Sequence, residues 1–193
     1  MVALEEKTVY FEEFKEEENT EATLKIAKEY ALKYNIKNIV VASTRGKVAE
    51  KALKFFDPAE YNLVIVTHTS WFRGKIRQEL DENIKKKLIE RGAHIVTAAH
   101  AFGGVSRSIE KKYGGITLVG LVANVLRRFC EGMKVAVEIT LMATDAGYFA
   151  PGEEVIAIAG TGRGADTAVI LTAAPSHKFF DTKIKKILAK PIF

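Results

Sequence analysis

The sequence predicts an α/β protein with a three-layer α/β/α architecture, because short apolar segments of β character alternate with longer segments of helical period. Strands separated by helices favour βαβ units and a mostly parallel sheet with helices on both faces. With 193 residues the chain is long enough for one sizeable core, so we expect a single domain over residues 1–193. The core strands are predicted at residues 38–42, 62–66, 94–98, 153–159 and 167–172.

The first βα unit follows an acidic leading segment with a short predicted strand at residues 8–11. Asn19 or Thr20 can cap the first helix, whose apolar positions recur at three- to four-residue spacing as far as Tyr34. The next segment, residues 38–42, reads Asn-Ile-Val-Val-Ala and is a continuous, largely β-branched run. Such a run is typical of a parallel strand that is buried on both faces.

The same pattern of helix and strand then repeats along the chain. Helical period returns over residues 46–56 and ends at Asp57-Pro58, because the residue before a proline disfavours the helical conformation. Another helix is predicted at residues 81–91, and Gly92 ends it.

The C-terminal half begins with a long, largely apolar stretch at residues 116–146, which we interpret as two helices joined near Glu131-Gly132. A glycine-rich loop at residues 160–164 separates the last two core strands. The glycine spacing of this loop fits a dinucleotide-binding fingerprint, but that motif must open a helix, and a strand follows here. A Rossmann cofactor site is therefore not expected.

Charge and composition argue against several classes of partner. The net charge of +5 comes from lysines and arginines mixed with glutamates, as on a solvated surface, so no nucleic-acid partner is expected. No apolar run reaches the roughly 18 residues that span a bilayer, so no membrane partner is expected. The single cysteine, Cys130, cannot form an internal disulfide, and we expect a cytoplasmic protein. Abundant lysine and glutamate with a single glutamine, Gln78, are typical of a protein from a thermophile.

The candidate site residues follow the predicted strands. In open parallel sheets, ligands bind beyond the carboxyl ends of the strands, where the strand order reverses. Hydroxyl groups, glycines, basic side chains, an aromatic ring and two histidines fall at this edge. The candidates are Ser43, Thr44, Arg45, Gly46, Lys47, Thr67, His68, Thr69, His100, Phe102, Gly103, Gly160, Thr161 and Gly162.

The loop at residues 43–47, Ser-Thr-Arg-Gly-Lys, carries the strongest indication of a ligand. It joins a strand directly to a helix, whose N-terminal amides and partial positive charge attract anions. Gly46 lets the backbone approach a ligand closely, and Arg45 or Lys47 can add charge-assisted hydrogen bonds. An ordinary βα turn in which Ser43 or Thr44 caps the helix explains the same spacing. Both interpretations stay open at this point.

Two histidines and two carboxylates have competing explanations. His68 and His100 can contact a ligand or transfer protons, although a histidine at a strand end also serves packing and hydrogen bonding. Glu138 and Asp145 lie in an apolar helical stretch, where each can line the crevice, cap a helix end or join an ion pair. No metal is predicted, because no cysteine pair, His-x-x-x-His motif or carboxylate cluster has the spacing of metal ligands.

Residues 38–55 resemble the first strand, the phosphate loop and the following helix of the pyruvate kinase C-terminal domain. In that family the loop typically reads Thr/Ser-x-Ser-Gly-Arg/Lys/Thr-Ser/Thr, and in allosteric members it holds a phosphate of a sugar bisphosphate activator. Near the C-terminus, Gly-Ala-Asp-Thr-Ala-Val-Ile-Leu-Thr at residues 164–172 is similar to the family's hairpin element. Asp-Thr-Lys-Ile-Lys at residues 181–185 is similar to its closing strand.

The resemblance implies a mixed, mostly parallel sheet of order 3-2-1-4-5, counted over the core strands, with strand 5 antiparallel. The first and fourth strands are then neighbours, so the loops at residues 43–47 and 160–164 would meet at the switch point. Arg45 stands where the family has a serine before the glycine, and Val48 stands where it has a hydroxyl residue. These departures predict a rearranged phosphate site.

The catalytic barrel of pyruvate kinase is absent from the sequence, so we expect a stand-alone relative that is not a pyruvate kinase by itself. We expect it to bind a phosphate-bearing small molecule, either a mononucleotide such as FMN or a sugar phosphate. Residues 116–142 and Phe102 would cover the ring system of a flavin. The alternative is an enzyme that acts on a phosphorylated metabolite through acid–base chemistry at His68 or His100. Because the family's C-terminal domains sit at subunit contacts, a homo-oligomer is expected.

Overall fold

A mixed β-sheet organises the protein, and a computed structural model describes residues 7–192. The strands are β1 (Val9–Phe11), β2 (Asn38–Ala42), β3 (Asn62–Val66), β4 (His94–Val96), β5 (Glu154–Ala159), β6 (Thr167–Thr172) and β7 (Ile184–Pro191). They form one seven-stranded sheet of order β1-β7-β6-β5-β2-β3-β4.

The predicted order of the core strands is confirmed. β4, β3, β2 and β5 run parallel in this order, and β6 pairs antiparallel with β5. Counted along the chain as core strands, they give the order 3-2-1-4-5 with strand 5 antiparallel. In the centre of the sheet, Val40 is aligned with Val64 on one side and with Ala157 on the other. All three are fully buried, as a continuous apolar run predicts for a strand covered on both faces.

Two further strands extend the sheet beyond β6. β7 pairs antiparallel with β6, and β1 adds in parallel to the outer edge of β7. The short strand predicted at residues 8–11 is present as β1. The closing strand, expected over residues 181–185, begins only at Ile184, because a 3-10 helix occupies Ser176–Asp181.

Helices cover both faces of the sheet. They are α1 (Glu16–Tyr34), α2 (Lys47–Ala52), α3 (Glu82–Glu90), α4 (Val105–Tyr113), α5 (Leu118–Leu126) and α6 (Glu131–Asp145). One apolar core, which includes Leu24 and Leu88, lies between the sheet and α1, α2 and α3. The other, which includes Met133 and Leu141, lies between the sheet and α6. The three-layer architecture is therefore confirmed. Within residues 7–192, no helix has both the length and the apolar character needed to cross a membrane.

The start of α1 differs from the predicted one. The helix begins at Glu16, so Asn19 and Thr20 lie inside its first turns and are buried. The Thr20 hydroxyl accepts a hydrogen bond from the amide of Ala165 at 2.9 Å, which anchors α1 to the loop before β6. Asn19 donates its side-chain amide to the carbonyl of Glu13. Neither residue caps the helix, and acidic residues in the first turn favour its start through the helix dipole instead.

The stretch at residues 116–146 contains α5 and α6 as predicted, and their junction at residues 127–130 lies directly before the predicted Glu131-Gly132. Both residues lie inside α6, which Cys130 caps through its sulfur. Glycine is needed at position 132 of α6 because any side chain there would collide with a neighbour. A Cβ at this position would lie 2.1 Å from Thr167 Oγ1.

Candidate functional site

A cleft opens at the carboxyl ends of β2, β3 and β5, and α6 forms one of its walls. Its volume of about 830 Å³ is within the range of small-molecule sites. Because β2 and β5 are neighbours at the point where the strand order reverses, the loops after both strands face the same space. The predicted site residues that line it are Ser43, Thr44, Arg45, Lys47, Thr67, His68, His100, Gly160, Thr161 and Gly162.

Gly46 lies beside the cleft rather than in its wall. It is buried with a φ of 96°, a left-handed conformation that glycine adopts without strain. A Cβ at this position would lie 2.7 Å from Ile84 Cγ2 and 2.9 Å from Leu80 Cδ1. Gly46 therefore shapes the turn before α2 and lets the segment around α3 pack closely against it.

Thr69, Phe102 and Gly103 do not line the cleft, but they hold residues that do. The Thr69 amide donates to His100 Nε2 at 3.3 Å, and the Phe102 amide donates to Glu138 Oε1 at 2.8 Å. A Cβ on Gly103 would lie 3.1 Å from the Cβ of His100. The three residues thus position His100 and Glu138 at the edge of the cleft.

The loop after β2 combines a helix cap with open amides. Ser43 is buried, and its Oγ accepts a hydrogen bond from the Ala49 amide at 3.2 Å. Its own amide donates to the carbonyl of Val66 at 3.0 Å. The amides of residues 44–48 donate to no acceptor within the described part of the chain. Ser43 therefore caps α2, while the neighbouring backbone keeps its donors available for an anion.

The loop after β5 adds a second run of open amides. It leads into β6, so the helix that a dinucleotide fingerprint needs does not follow it. The Thr161 amide donates to Asp166 Oδ2 at 3.0 Å, which fixes the shape of the loop. The amides of residues 162–164 have no acceptor among residues 7–192. Successive open amides of this kind form a concave site for anions.

A hydrogen-bonded chain of three side chains, with an arginine paired to the last of them, lies along the wall between the loops after β2 and β3. Thr44 Oγ1 lies 3.3 Å from His68 Nε2, and His68 Nδ1 lies 2.9 Å from Glu79 Oε2. Arg73 forms an ion pair with Glu79, with 3.0 Å between Nε and Oε1, and the Glu79 side chain is only 7% exposed. Since an ionised carboxylate can only accept, we assign the proton of His68 to Nδ1, which leaves Nε2 to accept from the Thr44 hydroxyl.

His100 is held in its neutral form near pH 7. Burial is the largest cause that lowers the pKa of its imidazole from the ordinary value of 6.5, and the carboxylate of Glu138 opposes this shift. The nearby His68, Lys134 and Arg107 lower the pKa further. The neutral ring can use Nε2 as an acceptor, which agrees with the backbone amide that donates to it.

We expect His100 to make the folded protein less stable as the pH falls below 6.5. The unfolded imidazole takes up a proton near this pH, whereas the folded one, with its lower pKa, does so only at lower pH. The unfolded state therefore binds more protons in this window, so the free energy of unfolding decreases with falling pH. Urea unfolding between about pH 8 and about pH 5 measures this slope. His100→Gln should reduce the slope, and an unchanged slope would argue against His100 as its source.

Basic side chains surround the cleft. Arg45, Lys47, Arg107 and Arg163 line it, and none of them has a carboxylate partner among residues 7–192. The other basic residues of the lining form ion pairs: Arg73 with Glu79, Arg127 with Glu131, and Lys134 with Glu138. Glu16 also lines the cleft and has no ion pair among residues 7–192, so four unpaired cations face one unpaired carboxylate and the balance favours an anion.

One face of α6 forms the wall opposite the loops. Its lining residues recur at helical spacing and are Glu131, Lys134, Val135, Glu138, Ile139 and Met142. Lys134 Nζ and Glu138 Oε2 are 2.5 Å apart, and the two side chains are 4% and 5% exposed. Glu138 therefore both lines the cleft and forms a buried ion pair. Asp145 does not line the cleft, and it accepts the amide of Ser176 at 2.8 Å.

The functional residues of the lining that were not predicted from the sequence are Glu16, Phe72, Arg73, Arg107, Arg127, Lys134 and Arg163. Lys134 had a signal, because a lysine four residues before a glutamate in an apolar helix predicts an ion pair. Arg163 stood inside a loop that was already a candidate. The remaining residues lie on loops and helices beyond the strand ends, and no local spacing marks such positions.

The match to a known protein family agrees with this architecture. Residues 21–171 match the sequence model of the family described as pyruvate kinase, alpha/beta domain. A crystal structure of a pyruvate kinase from Cryptosporidium parvum is similar with a TM-score of 0.42 and 16% identity, over 81% of this chain and 23% of that chain. Another crystal structure of pyruvate kinase from the same organism has a TM-score of 0.41 and 15% identity, over 81% of this chain and 22% of that chain.

The chain spans less than a quarter of the length of these pyruvate kinases. The family match extends over most of the 193 residues, including β2 to β6 and the loops that line the cleft. The chain belongs to the pyruvate kinase alpha/beta domain family.

Proposed function

We propose that the protein binds a phosphate-bearing small molecule in the cleft, with the phosphate at the loop after β2. The observation that carries this proposal is the run of open amides at residues 44–48 beside the unpaired side chains of Arg45 and Lys47. Backbone N–H groups and cationic side chains match the acceptor oxygens and the charge of a phosphate. The open amides of residues 162–164 line the same cleft and can donate to further oxygens.

The other walls of the cleft support a ligand with a flat ring. The ring of Phe72 lies 4.3 Å from that of His68 and 5.2 Å from that of His100, measured between centroids. Ile139 and Met142 add apolar surface on α6. A mononucleotide such as FMN would place its ring against these groups, whereas a sugar phosphate would use chiefly the polar loops. Both ligand classes therefore belong in the first experiment.

Ligand-induced stabilisation tests the proposal. The protein is heated with inorganic phosphate, FMN or a panel of sugar phosphates, and sodium chloride at matched ionic strength serves as the control. A ligand at a hundredfold excess over its Kd stabilises the fold by about 2.7 kcal/mol, which raises the melting temperature measurably. Bound FMN would also colour the purified complex. If none of the phosphate compounds raised the melting temperature above the salt control, the proposal would be wrong.

We also propose that the protein forms a homo-oligomer through α4 and α5. Leu118 is 84% exposed and Val105 is 76% exposed, and Tyr113 and Val125 on the same two helices are exposed as well. α5 carries no charged residue. Several exposed apolar side chains on two helices in contact are typical of protein–protein interfaces.

Leu118→Lys combined with Val125→Lys is expected to dissociate the oligomer into monomers, because it places charges in an apolar contact. Light scattering coupled to size-exclusion chromatography gives the mass of each species. Leu32→Lys is the matched control, since Leu32 is 63% exposed but lies on α1, on the other side of the sheet. A monomeric wild-type protein would contradict the proposed oligomer.

A further inference from the structure

We propose that Thr44 accepts a phosphoryl group from an acyl phosphate, with His68 as the general base and Glu79 as a positioning residue. The inference rests on the proposed function, because it requires a phosphate at the loop after β2. It adds an activity to that binding site and names the class of phosphate that the site would use.

The geometry behind this inference is the chain from hydroxyl to imidazole to carboxylate. His68 Nε2 is 3.3 Å from Thr44 Oγ1, and His68 Nδ1 is 2.9 Å from Glu79 Oε2. A carboxylate on Nδ1 fixes the tautomer and the ring orientation and stabilises the imidazolium that forms when Nε2 takes a proton. Glu79 is itself fixed, because Arg73 Nε forms an ion pair with its other oxygen at 3.0 Å and its side chain is almost fully buried.

Thr44 is the hydroxyl of this loop that remains available for chemistry. The Ser43 hydroxyl is buried and accepts the Ala49 amide, so it serves α2. Within residues 7–192, Thr44 Oγ1 has His68 as its only hydrogen-bond partner. Its backbone amide begins the run of open donors at residues 44–48. A phosphate held by these amides therefore lies beside a hydroxyl that already faces a base.

Transfer of the phosphoryl group from the acyl phosphate to Thr44 needs no further reactant. Thr44 Oγ1 gives its proton to His68 Nε2 and forms a bond to phosphorus, while the bond between phosphorus and the acyl oxygen breaks. The electron pair leaves with the carboxylate product, which needs no proton. Arg45 and Lys47 offset the negative charge of the transferring group. The products are phosphothreonine, a carboxylate and a proton, which His68 releases to solvent.

His100, Lys134 and Glu138 are occupied by other contacts. His100 uses Nε2 to accept the Thr69 amide, so this nitrogen does not face a ligand. Lys134 and Glu138 are closed into their own ion pair, and Glu138 also accepts the Phe102 amide. These bonds leave the Glu79–His68 pair as the base next to the open amides.

The experiment incubates the full chain with acetyl phosphate and follows phosphorylation by intact mass and peptide mapping. We expect one acid-stable phosphoryl group on Thr44, which Thr44→Ser retains and Thr44→Val loses. Ser70→Ala is the matched control, since it removes an exposed hydroxyl from the loop after β3. Substitution of the base, as His68→Gln, should slow labelling by about 10²- to 10⁴-fold. Glu79→Gln should slow labelling as well. This variant tests the role of the Glu79–His68 pair independently if His68→Gln does not fold.

Calorimetry with inorganic phosphate separates this inference from the proposed function. If phosphate binds and Thr44 stays unlabelled, the phosphoryl transfer is wrong while the binding function stands. An acid-labile label on His68, or labelling at the wild-type rate in Glu79→Gln, would also overturn the inference. If neither inorganic phosphate nor any compound of the thermal screen binds, both the phosphate-binding function and the phosphoryl transfer are wrong.

Discussion

Replacing Arg45 and Lys47 together by alanine is expected to weaken phosphate binding by at least about 100-fold, because a charge-assisted hydrogen bond is worth about 1.5–3 kcal/mol. Both side chains are exposed and line the cleft beside the open amides of residues 44–48. Neither has a carboxylate partner in the described part of the chain, so their removal breaks no ion pair there. Isothermal calorimetry with inorganic phosphate, and with the best ligand of the thermal screen, measures the change in Kd.

The control for this double variant is Lys111→Ala with Lys112→Ala. It removes the same charge from α4, where both lysines are exposed and outside the cleft. We expect it to change the Kd only slightly at physiological salt, since exposed charges farther away than about 8 Å are largely screened. Equal weakening by both double variants would show general attraction rather than a phosphate site at the loop.

Glu138→Leu is expected to lower the free energy of unfolding by about 3–5 kcal/mol, because breaking a buried ion pair from one side leaves an uncompensated charge. The variant leaves Lys134 without its carboxylate at a position where the side chain is only 4% exposed. It also removes the acceptor of the Phe102 amide. Urea unfolding of wild type and variant measures the difference.

The matched comparison is the double variant Lys134→Met with Glu138→Leu. Removal of both charges avoids the unpaired ammonium group, so the double variant should recover a large part of the lost stability. The Phe102 amide still lacks its acceptor in this background, and we expect a residual cost of about 1–3 kcal/mol from this amide. If Glu138→Leu alone unfolded at the wild-type urea concentration, the ion pair would not be buried as described.

The central strands could be predicted from the sequence because a strand buried on both faces is a continuous run of apolar residues. β2, β3 and β6 occupy the predicted residues, and β5 begins one residue later. The ends of the helices could be predicted less well than the strands. Thr20 looks like a cap, but its hydroxyl bonds to the amide of Ala165, which is distant in sequence and close only after folding. No helix was predicted at α4, because none of its residues is buried and basic residues interrupt its apolar positions.

The position of the cleft could be predicted because parallel strands bring their carboxyl ends to one edge. The choice between a helix cap and an anion site could not be made from spacing. In the structure Ser43 caps α2, while the amides of residues 44–48 stay open. The hydrogen-bonded chain of Thr44, His68 and Glu79 could not be predicted either. Glu79 lies in an irregular loop, whose sequence has no period that would place it beside His68. Arg107 lines the cleft from α4. It could not be predicted from the ends of the strands, because α4 does not directly follow a strand end.

The most direct test of the phosphate site is a titration of the isotope-labelled protein with inorganic phosphate, followed through the backbone amide chemical shifts. We expect the amides of residues 44–48 to shift most and to saturate together, with the amides of residues 162–164 following the same curve. Shifts confined to the C-terminal lysines, such as Lys183 and Lys185, with unmoved amides after β2, would contradict it.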